Sequence, residues 1–455
     1  MSFLSGLLPS SVSGMLPSSV TSAIGAATGT GSSSSSSGVS VTGTLAGAQQ
    51  ASTNAQAGAK SVMSYMPYVI GGLIILLIVI LVPLYFLGYL TKKKANTATV
   101  AALGGAVSNF ESGPSTEGFQ VGGGPQPSES ESDLTFVNAQ PLSIKDTGFE
   151  GPYPSGVFDP ASATAGALKA GFRFLTLQID YMDSDKDATK FEKPKVPTLL
   201  VRSASGSLLS SNSGSIAEVA QAIANIGFNP TLPNSTKPII LYLHINRTPA
   251  SPLSDPNGYL SFLSQIATAL APLAPYHLGL TPLGNFTRQK VEGVLLTTPL
   301  SSLDGQVVVL SNADTSLFRK EASSIQKYDP AQDLDFWVNM RVYLDSDEDS
   351  FGITELADDR NPPFAVLVNM DRILALSPAK QAAFAKKSSS RYVIAMPHRT
   401  DNPAPEVLNT AINTLGVNVV PIDIFTDTTE DILAITGKYS NKSYKMKPLA
   451  LRNIV

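Results

Sequence analysis

The chain has 455 residues, a formal net charge of -4 and no cysteine. The lack of cysteine excludes disulfides, thiolate metal sites and thiol nucleophiles. Only three histidines, His244, His277 and His398, are present, so imidazole chemistry has few candidates. The mild acidity and the absence of a long basic stripe argue against nucleic-acid binding.

Residues 1–66 form an N-terminal arm rich in Ser, Gly, Ala and Thr. A Leu-Pro-Ser-Ser-Val motif occurs at residues 8–12 and again at 16–20, and residues 32–37 are all serine. This composition buries too little apolar surface to offset the entropy lost on ordering. We expect a flexible arm whose apolar repeat docks on a protein partner.

Residues 67–91 contain an uncharged apolar run from Tyr68 to Leu90. A helix rises ~1.5 Å per residue, so roughly 20 apolar residues match the ~30 Å hydrocarbon core of a bilayer. A signal peptide would lie at the extreme N-terminus, and a buried core helix usually keeps a polar face. The run therefore predicts one transmembrane helix, with a kink at Pro83.

The lysines flanking this run predict its orientation. Residues 1–67 carry one charged side chain, Lys60, whereas Lys92, Lys93 and Lys94 follow the run directly. The positive-inside rule then places the C-terminal part in the cytoplasm and the arm on the lumenal or external side. Four Asn-x-Ser/Thr sequons argue the reverse if they are glycosylated, and we give them little weight because chance matches are common. They lie at Asn234, Asn246, Asn285 and Asn441.

Residues 92–133 form a second low-complexity segment, which predicts a flexible linker. From 134 to 455, short β-rich apolar runs alternate with helical patterns. Strand and helix alternating over a segment of this size predicts an α/β domain with a mainly parallel sheet, closed as a TIM-like barrel. The predicted strands are 172–179, 198–201, 239–245, 307–310, 365–369, 392–396 and 417–424. The predicted helices are 216–226, 259–273, 379–387 and 405–415.

Several segments of this domain resemble, in chain order, the strands of a known family. These segments are 170–180, 197–202, 237–246, 303–310, 391–401, 415–426 and the closing stretch 444–452. They resemble the phosphatidylinositol-specific phospholipase C-like phosphodiesterases, which are TIM barrels. The resemblance implies that fold for residues 134–455.

The chemistry that this resemblance implies is not matched by the residues present. The family uses two histidines as general base and general acid, but the matching regions read Lys145 to Tyr153 and Val201 to Ala204. The positions of the calcium-binding carboxylates hold Thr176, Gln178 and His244, and those of the phosphate-binding lysines hold Gln306, Leu310 and Asn312. We expect a degenerate phosphodiesterase that binds neither a metal nor a cofactor.

Four residues remain candidates for a catalytic or anion-binding role: Arg202, His244, His398 and Arg399. His244 and the pair His398 and Arg399 follow predicted strands, where barrel enzymes place their active sites. The alternatives are a hydrogen-bonded structural histidine for His244 and a salt bridge for Arg399. Arg202 stays protonated near neutral pH, so it cannot act as a general base.

Other features have ordinary interpretations. The acidic runs 183–187 and 345–349 lack the glycine and the glutamate of a calcium loop, so we interpret both as solvated loops. Trp337, the only tryptophan, fits either a core position or a partner contact. No Walker loop, nucleophile elbow or His-Glu-x-x-His motif is present.

We therefore predict a single-pass membrane protein whose inactive barrel is a structural or binding module. The flexible arm and the tethered barrel suit a link between a membrane and a protein layer. One such setting is the internal membrane and capsid of a large virus. The alternative is an active membrane-tethered phosphodiesterase that acts on phosphoinositide-like lipids through His244 and His398.

Overall fold

The computed structural model divides the chain into two units, Met1–Tyr85 and Phe86–Val455. It describes residues 66–90 except 67, 69, 78, 85, 88 and 89. It also describes 134–453 except 152, 154–155, 183–195, 204–205, 233, 250–252, 281–292, 316–331, 345–363, 398–401, 426–428 and 438–442. The predicted linker and all of the predicted arm except Met66 lie outside these residues.

The described residues between 66 and 90 are helical, and their large apolar side chains are exposed. Tyr68 is 78% exposed and Ile75 is 63% exposed. Within the described residues, no helix combines the length and the hydropathy that a bilayer crossing requires. The transmembrane helix at 67–91 therefore stays a prediction.

Twelve strands are described in the second unit. They are β1 (Ala139–Pro141), β2 (Ser143–Ile144), β3 (Phe149–Glu150), β4 (Val157–Phe158), β5 (Phe174–Tyr181), β6 (Pro197–Leu199), β7 (Ile239–Ile245), β8 (Val307–Ser311), β9 (Met340–Leu344), β10 (Ala365–Asn369), β11 (Tyr392–Met396) and β12 (Tyr444–Met446). Strands such as β7 and β8 consist almost entirely of buried apolar residues, as expected where both faces of a parallel sheet are covered.

Seven of these strands form a curled parallel sheet in the order β11-β10-β9-β8-β7-β5-β2. The segment 417–424 joins the two edges of this sheet. Val419 forms a parallel bridge with Ile394 of β11, and Ile422 forms one with Ile144 of β2. The structure therefore contains a curled parallel half-barrel sheet that fits the predicted α/β barrel, with two isolated bridges linking its edges.

Helices connect the strands, and most of them pack on the outside of the sheet. The helices are α1 (Pro160–Lys169), α2 (Ile216–Ile226), α3 (Pro256–Ala269), α4 (Val294–Thr297), α5 (Leu334–Trp337), α6 (Met370–Leu374), α7 (Pro378–Ser388), α8 (Pro405–Asn409) and α9 (Thr429–Gly437). Helix α4 instead contributes Leu295 and Leu296 to the cluster inside the barrel. Helices α1 and α3 each begin with an Asp cap and a proline, because the cap side chain satisfies a free backbone N–H and proline needs none.

Two hydrophobic clusters lie on the two faces of the sheet. Phe174, Ile240 and Tyr242 pack inside the barrel, whereas Leu175 and Leu241, at the alternate positions, pack outward with the helices. Alternation along a strand thus decides which side chains enter the barrel. At the end where the strands begin, β1 and β12 pair with each other.

The structure corrects several of the predicted elements. β6, predicted as a barrel strand, instead pairs antiparallel with the end of β5, off the path of the parallel sheet. Residues 417–424, predicted as a strand, contribute bridges rather than a continuous strand. Strands β2 and β9 complete the barrel but were not predicted, because β2 is only two residues long and β9 is interrupted by Arg341.

Trp337 is a core residue, which decides between its two interpretations. It is 1% exposed, and its ring centroid lies 4.7 Å from that of His277.

Because burial excludes water from the indole of Trp337, we expect blue-shifted tryptophan fluorescence that acrylamide quenches poorly. Emission spectra of the full chain, before and after denaturation, check this. Native quenching equal to that of the denatured chain would contradict it.

Candidate functional site

The candidate site lies at the barrel mouth, the end where the parallel strands finish. Alternation places Thr176 and Gln178 of β5 inside the barrel with Phe174, and His244 of β7 inside with Tyr242. Gln178 and His244 are direct neighbours in the strand register. Asn312 follows β8 on the adjoining strand. The mouth is therefore lined by amide, hydroxyl and imidazole groups.

His244 is half-buried and contacts Tyr242. The two side chains are joined by a hydrogen bond of 3.0 Å between the Tyr242 hydroxyl and Nδ1. Burial raises the pKa of Tyr242 far above its usual value, so this phenol stays protonated. His244 thus has the hydrogen bond that its structural alternative required.

Asp180, at the end of β5, is held by two arginines. Arg202 Nε lies 2.7 Å from Oδ2, and Arg247 Nε lies 2.6 Å from Oδ1. The Asp180 side chain is fully buried, that of Arg202 is 8% exposed and that of Arg247 is 40% exposed. Arg202 also donates to the Gly206 carbonyl, and Arg247 to the Tyr181 carbonyl. Both carboxylate oxygens are thus engaged by guanidinium groups.

A second charged cluster lies where β2 and the segment 417–424 end. Lys145 follows β2 and is 1% exposed, with its ammonium 5.8 Å from the centre of the Tyr153 ring. The Tyr153 hydroxyl donates to Asp146. Asp423 lies beside this group, and its Oδ1 accepts from the Phe425 N–H at 2.8 Å.

Burial determines the ionisation of this cluster. Burial, reinforced by the charge of Asp146, raises the pKa of Asp423 to about 7, although the Phe425 N–H and Lys145 act in the opposite direction. Burial and the neighbouring carboxylates also raise the pKa of Tyr153 well above its usual range. Near neutral pH, Asp423 therefore exists in both protonation states.

The structure places two of the four candidate residues at the mouth. His244 bonds to Tyr242, whereas Arg202 bonds to Asp180, so each has its own structural partner. His398 and Arg399 lie outside the described residues. The cluster around Asp423 was not predicted, although the polar residues that directly follow β2 and precede Phe425 were a usable signal.

The positions that the resemblance linked to metal and phosphate have ordinary roles. Asn312 bonds both backbone groups of Ile245. Leu310 packs inside the barrel, and Gln306 precedes β8, at the end opposite the mouth. Within the described part of the chain, no group of three or more His, Cys, Asp or Glu side chains could hold a metal ion.

Comparisons with known proteins show distant structural likeness. No protein-family model matches the chain, and no curated protein matches its sequence. Phospholipase C PLC21 of L. pealei has a TM-score of 0.45 and 15% identity, covering 71% of this chain and 38% of its own. A calcium-dependent phosphoinositol-specific phospholipase C from Pseudomonas sp has a TM-score of 0.41 and 11% identity, and the match covers 70% of this chain and 96% of the Pseudomonas chain. A calcium-dependent phosphatidylinositol-specific phospholipase C from Streptomyces antibioticus has a TM-score of 0.33 and 12% identity, and the match covers 58% of this chain and 83% of the Streptomyces chain.

These likenesses do not identify the family or the activity of the chain. All three TM-scores are below 0.5, and this chain spans only 38% of the length of the L. pealei protein. The function of the chain is therefore inferred from the residues at the barrel mouth.

Proposed function

We propose that this chain is a membrane-anchored protein whose phospholipase C-like barrel serves as a structural or binding module without phosphodiesterase activity. The observation that carries the proposal is the arrangement around Asp180, where two guanidinium groups engage a fully buried carboxylate at the mouth. Two guanidinium groups already engage both oxygens of this carboxylate, so it is a poor ligand for a cation.

The histidine chemistry supports the same proposal. Cleavage of a phosphodiester by acid–base catalysis needs one group that takes a proton and another that gives one. His244 is hydrogen-bonded to a phenol that stays protonated, and Arg202 is bound to Asp180. An arginine does not exchange protons near neutral pH.

Two of the four sequons have asparagine amides that are hydrogen-bonded in the folded barrel. The amide nitrogen of Asn234 donates to the Ser443 hydroxyl at 2.7 Å, and that of Asn246 donates to the Gln178 side chain at 3.2 Å. Glycosylation requires an accessible amide in a surface loop, so both sites are poorly suited to it. Asn285 and Asn441 lie outside the described residues. The proposed partners are the bilayer and a protein layer, and the proposed setting is a virus membrane. All three rest on the sequence pattern.

An active phosphodiesterase is the second candidate, favoured by one observation. Arg202, Arg247, Lys145 and His244 all lie at or beside the mouth end of the barrel, so this end carries several cationic groups. Cationic groups stabilise the negative charge of a phosphoryl transition state. The reaction would need a second proton-transfer group, and His398 is the residue that the sequence offers.

Activity measurements on the purified full chain separate the two candidates. We expect no hydrolysis of phosphatidylinositol or phosphoinositides above the buffer rate, with or without calcium, because His244 is bonded to Tyr242 and Arg202 to Asp180. The matched variants are His244→Ala and His277→Ala. The second histidine is buried against Trp337, away from the mouth residues. Turnover that His244→Ala abolishes and His277→Ala spares would overturn the proposal in favour of the enzyme.

A further inference from the structure

A group of basic side chains lies at the barrel end opposite the mouth. Lys386 and Lys387 form the last turn of α7, and Arg391 directly precedes β11. Lys445 belongs to β12, and Arg452 follows the last helical turn, Leu449–Leu451. We call these five residues the basic face. All five are exposed or half-buried.

Direct contacts join the elements that carry the basic face. Helix α7 packs against Leu449–Leu451. The buried Lys447 donates from Nζ to the Ser388 carbonyl at the end of α7, at 2.8 Å. Arg452 Nε donates to the Lys447 carbonyl at 2.6 Å, and Lys445 Nζ donates to Asn413 at 2.7 Å. The charges are therefore held on one packed surface.

An exposed apolar side chain accompanies these charges. Leu449 is 53% exposed and lies between Lys445 and Arg452 in the chain. A cationic surface with an exposed leucine is the composition of protein surfaces that lie on anionic lipid. The buried Lys447 does not add a full charge near neutral pH, because burial lowers its pKa to about 7.

Acidic side chains are found at the opposite end of the barrel, whereas Asp304, which precedes β8 near Tyr444, lies at the basic end. Several occupy helix N-termini, which face the mouth in an alternating strand and helix barrel: Asp159, Glu218, Asp255, Asp371 and Glu406. The helix dipole favours acids there and bases at helix C-termini. This effect explains single charges such as Lys386, but it does not explain Lys445 and Arg452, which lie outside helices.

The chain enters the barrel at the same end. Residues 134–138 precede β1, and β1 pairs with β12, which carries Lys445. The Asn138 side chain bonds the backbone of Asn453, beside Arg452. The chain therefore joins the barrel at the end that carries the basic face.

We infer that the basic face lies on an anionic bilayer surface and turns the barrel mouth away from the membrane. This inference rests on the proposed membrane anchoring, and it assigns the lipid headgroup region as the partner of this face. Lys92, Lys93 and Lys94 add attraction to the same surface. The mouth then faces away from the bilayer.

The absence of cysteine makes a direct test available, because a single introduced thiol can be labelled selectively. Ala450→Cys places a fluorophore on the basic face, and Ala161→Cys places one at the mouth end of α1. The full chain is reconstituted into phosphatidylcholine vesicles with and without phosphatidylserine, and a lipid-bound quencher reports contact. We expect quenching of the Ala450→Cys probe only with phosphatidylserine, its loss at high salt, and little quenching of the Ala161→Cys probe.

Charge variants on one helix provide the matched control. Lys386→Gln with Lys387→Gln should weaken docking by about fivefold for each charge removed. Lys380→Gln, in the first turn of the same helix, should leave docking unchanged. Three results would overturn the inference. They are quenching of the Ala161→Cys probe, quenching that does not depend on phosphatidylserine, and equal effects of the lysine variants at the two ends of the helix. Salt or carbonate extraction of the chain from neutral vesicles tests the anchoring separately.

Discussion

Replacing Asp180 with alanine is expected to lower the free energy of unfolding by about 3–5 kcal/mol, because it leaves the buried Arg202 guanidinium without its counter-charge. Most of the effect should come from Arg202, since Arg247 is 40% exposed and solvent screens its charge. Chemical denaturation of the detergent-solubilised full chain at neutral pH measures it.

The pair between Arg341 and Asp314 is the control for this prediction. Its N–O distance is 3.3 Å, and the two side chains are 37% and 36% exposed. Asp314→Ala should therefore cost no more than about 1 kcal/mol. A loss in Asp180→Ala no larger than in Asp314→Ala would show that the Asp180 cluster does not stabilise the barrel. It would also remove the main support for a neutralised carboxylate at the mouth.

Replacing Asp423 with asparagine is expected to stabilise the chain at pH 8 and to change its stability little at pH 4. The folded-state pKa of Asp423 is raised to about 7 from an ordinary value of 3.8. The folded chain therefore holds this proton more tightly than the unfolded chain. The resulting stability is fully present below pH 3.8 and is lost as the pH rises through 7.

The size of the effect follows from the difference between the folded-state pKa of Asp423 and its ordinary value. Each unit of pKa difference corresponds to about 1.4 kcal/mol, so the wild-type chain should lose about 3–5 kcal/mol relative to Asp423→Asn between pH 4 and pH 8. Denaturation of both chains across this range measures the difference. Glu218→Gln, at an exposed position in the first turn of α2, is the control and should stay parallel to wild type. If the difference in unfolding free energy between wild type and Asp423→Asn were the same at every pH, this would contradict the raised pKa.

Much of the barrel was predictable from local patterns. Ile239–Ile245, Ala365–Asn369, Tyr392–Met396 and Ile216–Ile226 have the bounds predicted from the sequence. Their apolar residues repeat with the period of the element that they form. Helix α1 escaped prediction because Ala163 and Ala167 give its buried face little hydrophobic contrast. It is recognisable from its close packing on α2, a tertiary feature.

The candidate site was predicted only in part. His244 and Arg202 could be named because each follows or ends an apolar run in the sequence. Their partners could not be named, because hydrogen bonding and charge pairing depend on which strands become neighbours. Asp180 meets Arg247 only because β5 and β7 are adjacent in the sheet.

The sequence by itself determined the alternation of strands and helices, the apolar run at 67–91 and the limits that three histidines and no cysteine place on chemistry. These properties depend on residue type and short-range periodicity. The tertiary structure alone decided the antiparallel course of β6, the neutralisation of Asp180 and the raised pKa of Asp423. Each depends on burial and on contacts between residues distant in the chain, because charges interact strongly only where folding removes water from between them.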